Sequence, residues 1–340
     1  LKHNTLTMSM KHLSAALLIF FGAFIISCKS DTKSEKHTEA ITEKTIEKQA
    51  VLELEIAANL GEGAFWNYKS NELYWIDIED KKLHIYNPKT KEDRVFNTPS
   101  RIGTVVPKNA EEAVIALEDG IYIINTQTGD LKLLSDIEHD LTQNRFNDGK
   151  CDPSGRFWVG SLNLKEEAAS ANLYMIDTTG QTTLKIDSVT ISNGIVWTKD
   201  RKTMYYIDTP TGKIMGYDYD DKTGDITNGR VAVTVSDTIG YPDGMTIDEN
   251  DNLWVGLWNG HAVGHFDPKS GKLLDKIQVP VQNVTSCAFG GENLDTLYIT
   301  TASRGISEED KKQYPLSGSV FKAVPGVKGV KGSFFGNQYD

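Results

Sequence analysis

From residue 51 onward, short apolar runs alternate with polar, turn-forming breaks, and the runs recur at a nearly constant distance. Six share one form, a β-branched or aromatic run closing on an acidic or small residue. They are LYWID at 73–77, AVIAL at 113–117, FWVGS at 157–161, MYYID at 204–208, LWVGL at 253–257 and LYITT at 297–301. Their starts lie 40, 44, 47, 49 and 44 residues apart. Runs this short and this rich in Val, Ile, Tyr and Trp read as buried strands. Turn signals precede them, such as Lys69-Ser70-Asn71, Asp152-Pro153-Ser154-Gly155 and Asp248-Glu249-Asn250-Asp251, and most are followed by a second strand and another turn. No stretch of 11 or more residues in this region carries a helical period. Six units of about 48 residues, each with room for four short strands, predict an all-β protein, a six-bladed β-propeller. A two-sheet sandwich gives no reason for six evenly spaced turn–strand–turn units.

The first 50 residues have a different pattern. Lys11 is followed by an apolar run at 13–26, then Ser27 and Cys28. A positive start, about 14 apolar residues and a small residue before a cysteine form a secretory signal, too short for the roughly 20 residues of a membrane-spanning helix. Ile25-Ile26-Ser27-Cys28 resembles a bacterial lipobox, which implies a signal segment at 1–28 and lipidation of Cys28; a plain amino-terminal anchor is the alternative. Residues 29–50 carry 10 charged side chains among 22, with no aromatic, Gly or Pro. Such a segment buries too little apolar surface to offset its ordering entropy and reads as a disordered tether, leaving 51–340 for the propeller.

Composition narrows the partners. The formal net charge of −11 becomes −13 if Lys2 and Lys11 leave with the signal segment. An acidic chain lacks the basic face that nucleic acid or anionic lipid requires. Three cysteines are too few for a disulfide scaffold or a four-cysteine zinc site. Cys151 and Cys287 fall near the inner strands of opposed blades three and six, and read as buried small residues rather than a disulfide. His261 and His265 are four apart in a strand-like segment; they offer a metal pair, or polar positions at a blade edge.

Candidate chemistry emerges when the blades are aligned. Ten or eleven residues before each apolar run, where the innermost strand begins, stand Glu62, Gly103, Asn147, Asn193, Asp243 and Ser286. Equivalent registers of a propeller form a ring around its channel, so Glu62, Asn147, Asn193 and Asp243 converge at one mouth. Two carboxylates and two amide oxygens are hard ligands suited to Ca²⁺, Mg²⁺ or Mn²⁺. Taken singly, Asn147-Asp148-Gly149, Asn193-Gly194 and Asp243-Gly244 read as ordinary turns.

Gly61-Glu62-Gly63-Ala64-Phe65-Trp66, Arg145-Phe146-Asn147-Asp148-Gly149-Lys150, Ser192-Asn193-Gly194, Tyr241-Pro242-Asp243-Gly244-Met245 and Thr285-Ser286-Cys287-Ala288-Phe289-Gly290-Gly291 resemble the gluconolactonase/regucalcin (senescence marker protein) family. Gly318-Ser319-Val320-Phe321 and Val327-Lys328-Gly329 are similar to its closing segment. The resemblance implies a metal-dependent hydrolase of carboxylic ester bonds acting on a sugar lactone. It implies Glu62, Asn193 and Asp243 as metal ligands, Asn147 beside the metal and facing substrate, and Arg145 as a substrate contact. Asp243 is the candidate general base. Some members of the family carry a substrate-contacting acid after the third-blade strand; here that loop reads Asn163-Leu164-Lys165-Glu166-Glu167, which offers Glu166 or Glu167. Ala64 stands where the family often has proline, which bears only on loop stiffness. The cofactor expected is one divalent cation, Ca²⁺ first, with Mg²⁺, Mn²⁺ or Zn²⁺ as alternatives. The protein is expected as a monomer of the bacterial cell envelope, lipid-anchored and periplasmic or outer-membrane associated.

No Gly-x-Ser-x-Gly elbow, His-Glu-x-x-His motif or phosphate-binding loop occurs in the chain. Two other functions remain alongside the lactonase. One is a phosphotriesterase- or paraoxonase-like calcium hydrolase; the other is a non-catalytic, lipid-anchored binding propeller with a structural ion.

Overall fold

Each of the six apolar runs forms the second strand of an antiparallel sheet, as seen in a computed structural model that describes residues 48–337. Cys28, the signal segment and most of the tether lie outside the described residues. The second strands are buried almost throughout because blades cover both of their faces. Trp75, Trp158 and Trp254, on the second strands of blades one, three and five, are fully buried.

The turn signals have a specific chemistry. Asp152 Oδ1 accepts the amides of Ser154 and Arg156 at 3.0 and 2.9 Å, and Asp248 Oδ1 those of Asn250 and Asn252, both at 2.9 Å. The second carboxylate oxygen of each accepts the indole N–H of Trp158 (2.9 Å) or Trp254 (3.1 Å). One aspartate therefore closes the hairpin and satisfies the buried indole on its second strand. His265 stacks on Trp254 with ring centroids 4.0 Å apart and places Nε2 3.3 Å from Asp248 Oδ2, while His261 lies beside the ring of Tyr314. The two histidines serve different contacts rather than one metal.

The inner strands are Gly61–Asn67, Ile102–Pro107, Asn144–Cys151, Ser192–Trp197, Tyr241–Ile247 and Asn283–Gly290. Each packs against the next, and the sixth against the first, so the ring is closed. Five sheets take their four ordered strands from consecutive sequence; the sixth is completed by Val51–Leu54, which pairs with Val320–Ala323. The residues just before it differ from the expected tether. Lys48–Gln49 adds a parallel fifth strand to blade five against Lys272–Gln278, and Ala50 is buried. Charge-rich composition predicted solvation there, but the free edge of blade five satisfies the backbone, and Lys48 pairs with Asp275 at 3.2 Å.

The closing segment crosses the end of the channel away from the starts of the inner strands. It bridges Asp248 to Gly329 and Cys151 to Ser333, and sets Phe334 on Tyr68 and Phe65. Cys151 and Cys287 are free and buried, as expected. Burial pushes the Cys287 thiol up to about 12 and that of Cys151 well above its usual range, so both are inert.

Candidate active site

Every inner strand is interrupted by a bulge at the register singled out in the sequence. Pairing with the second strand skips between Glu62 and Phe65, Ile102 and Thr104, Phe146 and Gly149, Ser192 and Ile195, Pro242 and Met245, and Val284 and Cys287. A bulge leaves a residue out of the ladder and re-aims its side chain. The Asn-Gly and Asp-Gly pairs read locally as turns are therefore strand bulges. Their glycines serve close approach: a Cβ on Gly194 would stand 2.8 Å from the Asp243 carbonyl oxygen, and one on Gly244 2.5 Å from Ser286 Oγ. Neighbouring inner strands come together at these points, which narrows the ring where Glu62, Asn147, Asn193 and Asp243 project.

The side chains are tied to one another. Asn193 Nδ2 donates to Thr209 Oγ1 (2.8 Å), which donates to the Pro242 carbonyl (2.8 Å), and this turns Asn193 Oδ1 inward. Asn147 donates through Nδ2 to the Ser192 carbonyl (2.7 Å) and to Asn193 Oδ1 (3.3 Å). Its own Oδ1 accepts from Arg145 Nη1 at 2.7 Å, so its amide nitrogen, not its oxygen, faces Asn193. Glu62 Oε2 accepts the Gly63 amide (2.7 Å), and the Glu62 carboxyl is close enough to Asp243 to raise its proton affinity.

Burial, with the nearby charge of Asp148, pushes Glu62 up to about 7. Burial, then the charges of Glu62 and Asp148, holds Asp243 well above the carboxylate range. Asp148 is a member of this cluster that the sequence reading took as part of a turn. It is 3% exposed, and its Oδ2 is buried with no hydrogen-bond partner. Asn147 and Asp148 together form a two-residue bulge that only the pairing with the second strand reveals.

This donor set fits a hard divalent cation. No salt bridge among the described residues neutralises the two carboxylates, and the charges of Lys150 and Arg145 leave Glu62 raised; a dication held by Glu62, Asp243 and Asn193 would let both ionise. Among the described residues no three His, Cys, Asp or Glu side chains gather in metal-ligating geometry. The set here is a carboxylate pair with amide oxygen and room for water.

One cavity of about 430 Å³ opens over the cluster and is lined by all six predicted residues: Glu62, Arg145, Asn147, Glu166, Asn193 and Asp243. Arg145 is 5% exposed and bonds to Asn147 and the Phe146 carbonyl rather than to a carboxylate. Burial pushes its guanidinium down to about 10, opposed by Glu79 and reinforced by Arg304 and Arg101. Arg101 pairs with Glu79 at 2.9 Å and Arg304 at 3.0 Å, and Arg304 also lines the cavity. Apolar residues, among them Ile191, Pro210, Tyr241 and Trp258, also line the cavity. Neither the arginine pairing nor this apolar lining was anticipated, because their loops come from five blades and share no register.

Comparison with known proteins identifies the family. The family description "SMP-30/Gluconolactonase/LRE-like region" matches residues 60–303. The chain is 39% identical over 274 residues to a Bacillus subtilis protein provisionally named sugar lactone lactonase YvrE, covering 81% of this chain and 94% of that one. It is 34% identical over 282 residues to regucalcin of Xenopus laevis, covering 81% and 94%. The crystal structure of a calcium-binding protein, regucalcin, from Agrobacterium tumefaciens superposes with a TM-score of 0.81 at 27% identity, over 85% of this chain and 98% of that one.

Proposed function

Because the chain belongs to the SMP-30/gluconolactonase/LRE-like family, we propose that it is a divalent-metal-dependent lactonase that opens a sugar lactone to its aldonic acid. The observation that carries the reading is the convergence of Glu62, Asn193, Asp243 and Arg145 on one cavity of about 430 Å³. Glu62, Asn193 and Asp243 would hold the cation, which when bound polarises an ester carbonyl and acidifies water. Asp243 takes the proton of the attacking water; the water oxygen bonds to the carbonyl carbon, the ring C–O bond breaks, and the leaving oxygen receives that proton back from Asp243. A carboxylate bound to a cation is a weaker base, but the burial and neighbouring charges that raise Asp243 act in the opposite sense. Arg145 and Asn147 grip hydroxyls or the carbonyl and set the substrate's orientation. Tyr241 and Trp258 offer flat apolar surface to a sugar's C–H face.

The apolar lining also favours a second substrate class, aryl phosphotriesters, so the test runs both. Metal-stripped protein is expected to turn over an aldonolactone only after Ca²⁺, Mg²⁺, Mn²⁺ or Zn²⁺ is restored, and at least roughly tenfold faster than an aryl phosphotriester. No lactone turnover with any of the four ions would overturn the assignment and leave a binding propeller with a structural ion.

The lipobox-like segment places this activity, in the same proposal, in a bacterial envelope on a lipid anchor at Cys28. Cys28→Ala is expected to move the protein from the membrane to the soluble fraction; unchanged membrane association would favour a plain amino-terminal anchor.

A further inference from the structure

The connection from blade two to blade three carries a carboxylate that the proposed chemistry does not use. Glu138 lies between strands Leu131–Ser135 and Asn144–Cys151, is 8% exposed, and has a backbone φ of +58°. Side chains other than Gly, Asn and Asp seldom adopt that conformation, and it persists where surroundings over-determine it. The carboxylate points into blade three. Its Oε1 accepts from Ser161 Oγ (2.8 Å), Tyr174 OH (3.0 Å) and Asn172 Nδ2 (3.4 Å), and its Oε2 from Asn144 Nδ2 (3.4 Å). All four partners are neutral. A buried charge held only by hydroxyl and amide donors is costly and needs every one of them.

Those donors lead to the cavity wall by two routes. Asn144 immediately precedes Arg145, and Ser161 pairs in the strand ladder with Phe146, between Arg145 and Asn147. Asn144 Oδ1 accepts from Asn163 Nδ2 (3.3 Å), and Asn163 Oδ1 accepts the Lys165 amide (2.9 Å) while its carbonyl accepts the Glu166 amide (2.7 Å). One carboxylate therefore stands behind both segments through which blade three reaches the cavity, 145–147 and the Glu166 loop.

We propose that Glu138 is a positioning residue for substrate binding, holding Arg145, Asn147 and the Glu166 loop through Asn144, Ser161 and Asn163. The binding role rests on the lactonase reading; the positioning itself does not. Only an acceptor-only group suits this place. Glutamine of the same volume presents N–H to one of four donors, and alanine leaves buried donors unsatisfied.

The test uses the full chain with Glu138→Gln and Glu138→Ala, and three readouts: steady-state kinetics on an aldonolactone, Ca²⁺ affinity, and amide hydrogen exchange. Glu138→Gln is expected to raise KM roughly tenfold while kcat falls less than about threefold and Ca²⁺ affinity stays within about twofold. Exchange is expected to accelerate roughly tenfold or more in 144–147 and 163–167, with strand Ser192–Trp197 unchanged. Alanine is expected to exaggerate each effect; if it does not fold, the glutamine variant carries the test. Unchanged KM and unchanged exchange in both segments would overturn the proposal. So would a parallel loss of KM, kcat and Ca²⁺ affinity, which marks general destabilisation. Wild-type protein without lactone turnover would sink the lactonase reading instead, and exchange with Ca²⁺ affinity would still decide whether Glu138 holds the two segments.

Discussion

Asp243→Asn is expected to lower lactone turnover by roughly 10³-fold or more, and Glu62→Gln by roughly 10²-fold or more. In the proposed mechanism Asp243 serves as base and cation ligand, so its loss would remove proton acceptance together with one of the two carboxylates that would hold the dication. Glu62 would supply the other. The double variant is expected to be little worse than Asp243→Asn alone, because the two carboxylates act as a unit. The same substitutions carry an opposite expectation for stability. In metal-free protein at pH 7, either one relieves a buried carboxylate pair and raises the unfolding midpoint, measured by thermal denaturation. Full activity in both variants would place the chemistry elsewhere.

Metal removal couples to pH through the same pair. The Glu62 carboxyl releases its proton near its ordinary value of 4.5 when unfolded and at about 7 in the folded, metal-free protein. Between these values the folded state holds a proton that the unfolded state has lost, so raising the pH favours unfolding. Metal-free protein is therefore expected to lose stability on the order of 3 kcal/mol between pH 4.5 and pH 7, and Asp243, shifted in the same direction, extends the loss to higher pH. A divalent cation at a hundredfold excess over its Kd returns about 2.7 kcal/mol, or roughly 5 °C for a domain of this size. The gain should be greatest above pH 7 and shrink toward pH 5, where protons compete for both carboxylates. Calorimetric scans across pH with and without Ca²⁺ would show it. A metal effect independent of pH would mean that Glu62 and Asp243 are not the ligands.

The legible part of the site was its ring. Glu62, Asn147, Asn193 and Asp243 stand at one offset from strands that repeat, and repetition in sequence becomes rotation about an axis in space. Arg145 and Glu166 came from family resemblance, and both line the same cavity. Asp148 was hidden because Asn-Asp-Gly is locally a turn signal; only pairing with the second strand makes it a bulge whose two polar side chains point inward. Glu138 gave no signal, since its partners at 144, 161, 172 and 174 belong to three strands and to no shared period.

By itself, the sequence determined the strands, their number and the register that faces the channel. Those properties follow from the alternation and spacing of side chains along the chain, which local contacts enforce. Tertiary structure alone decided how the ring closes, since Val51–Leu54 finds its partner Val320–Ala323 at the far end of the propeller sequence. It also decided that Glu62 and Asp243, from blades one and five, are buried together in one cluster. Such pairings join residues remote in sequence, and their energy depends on burial and on the charge facing each group, which exist only once the blades have packed.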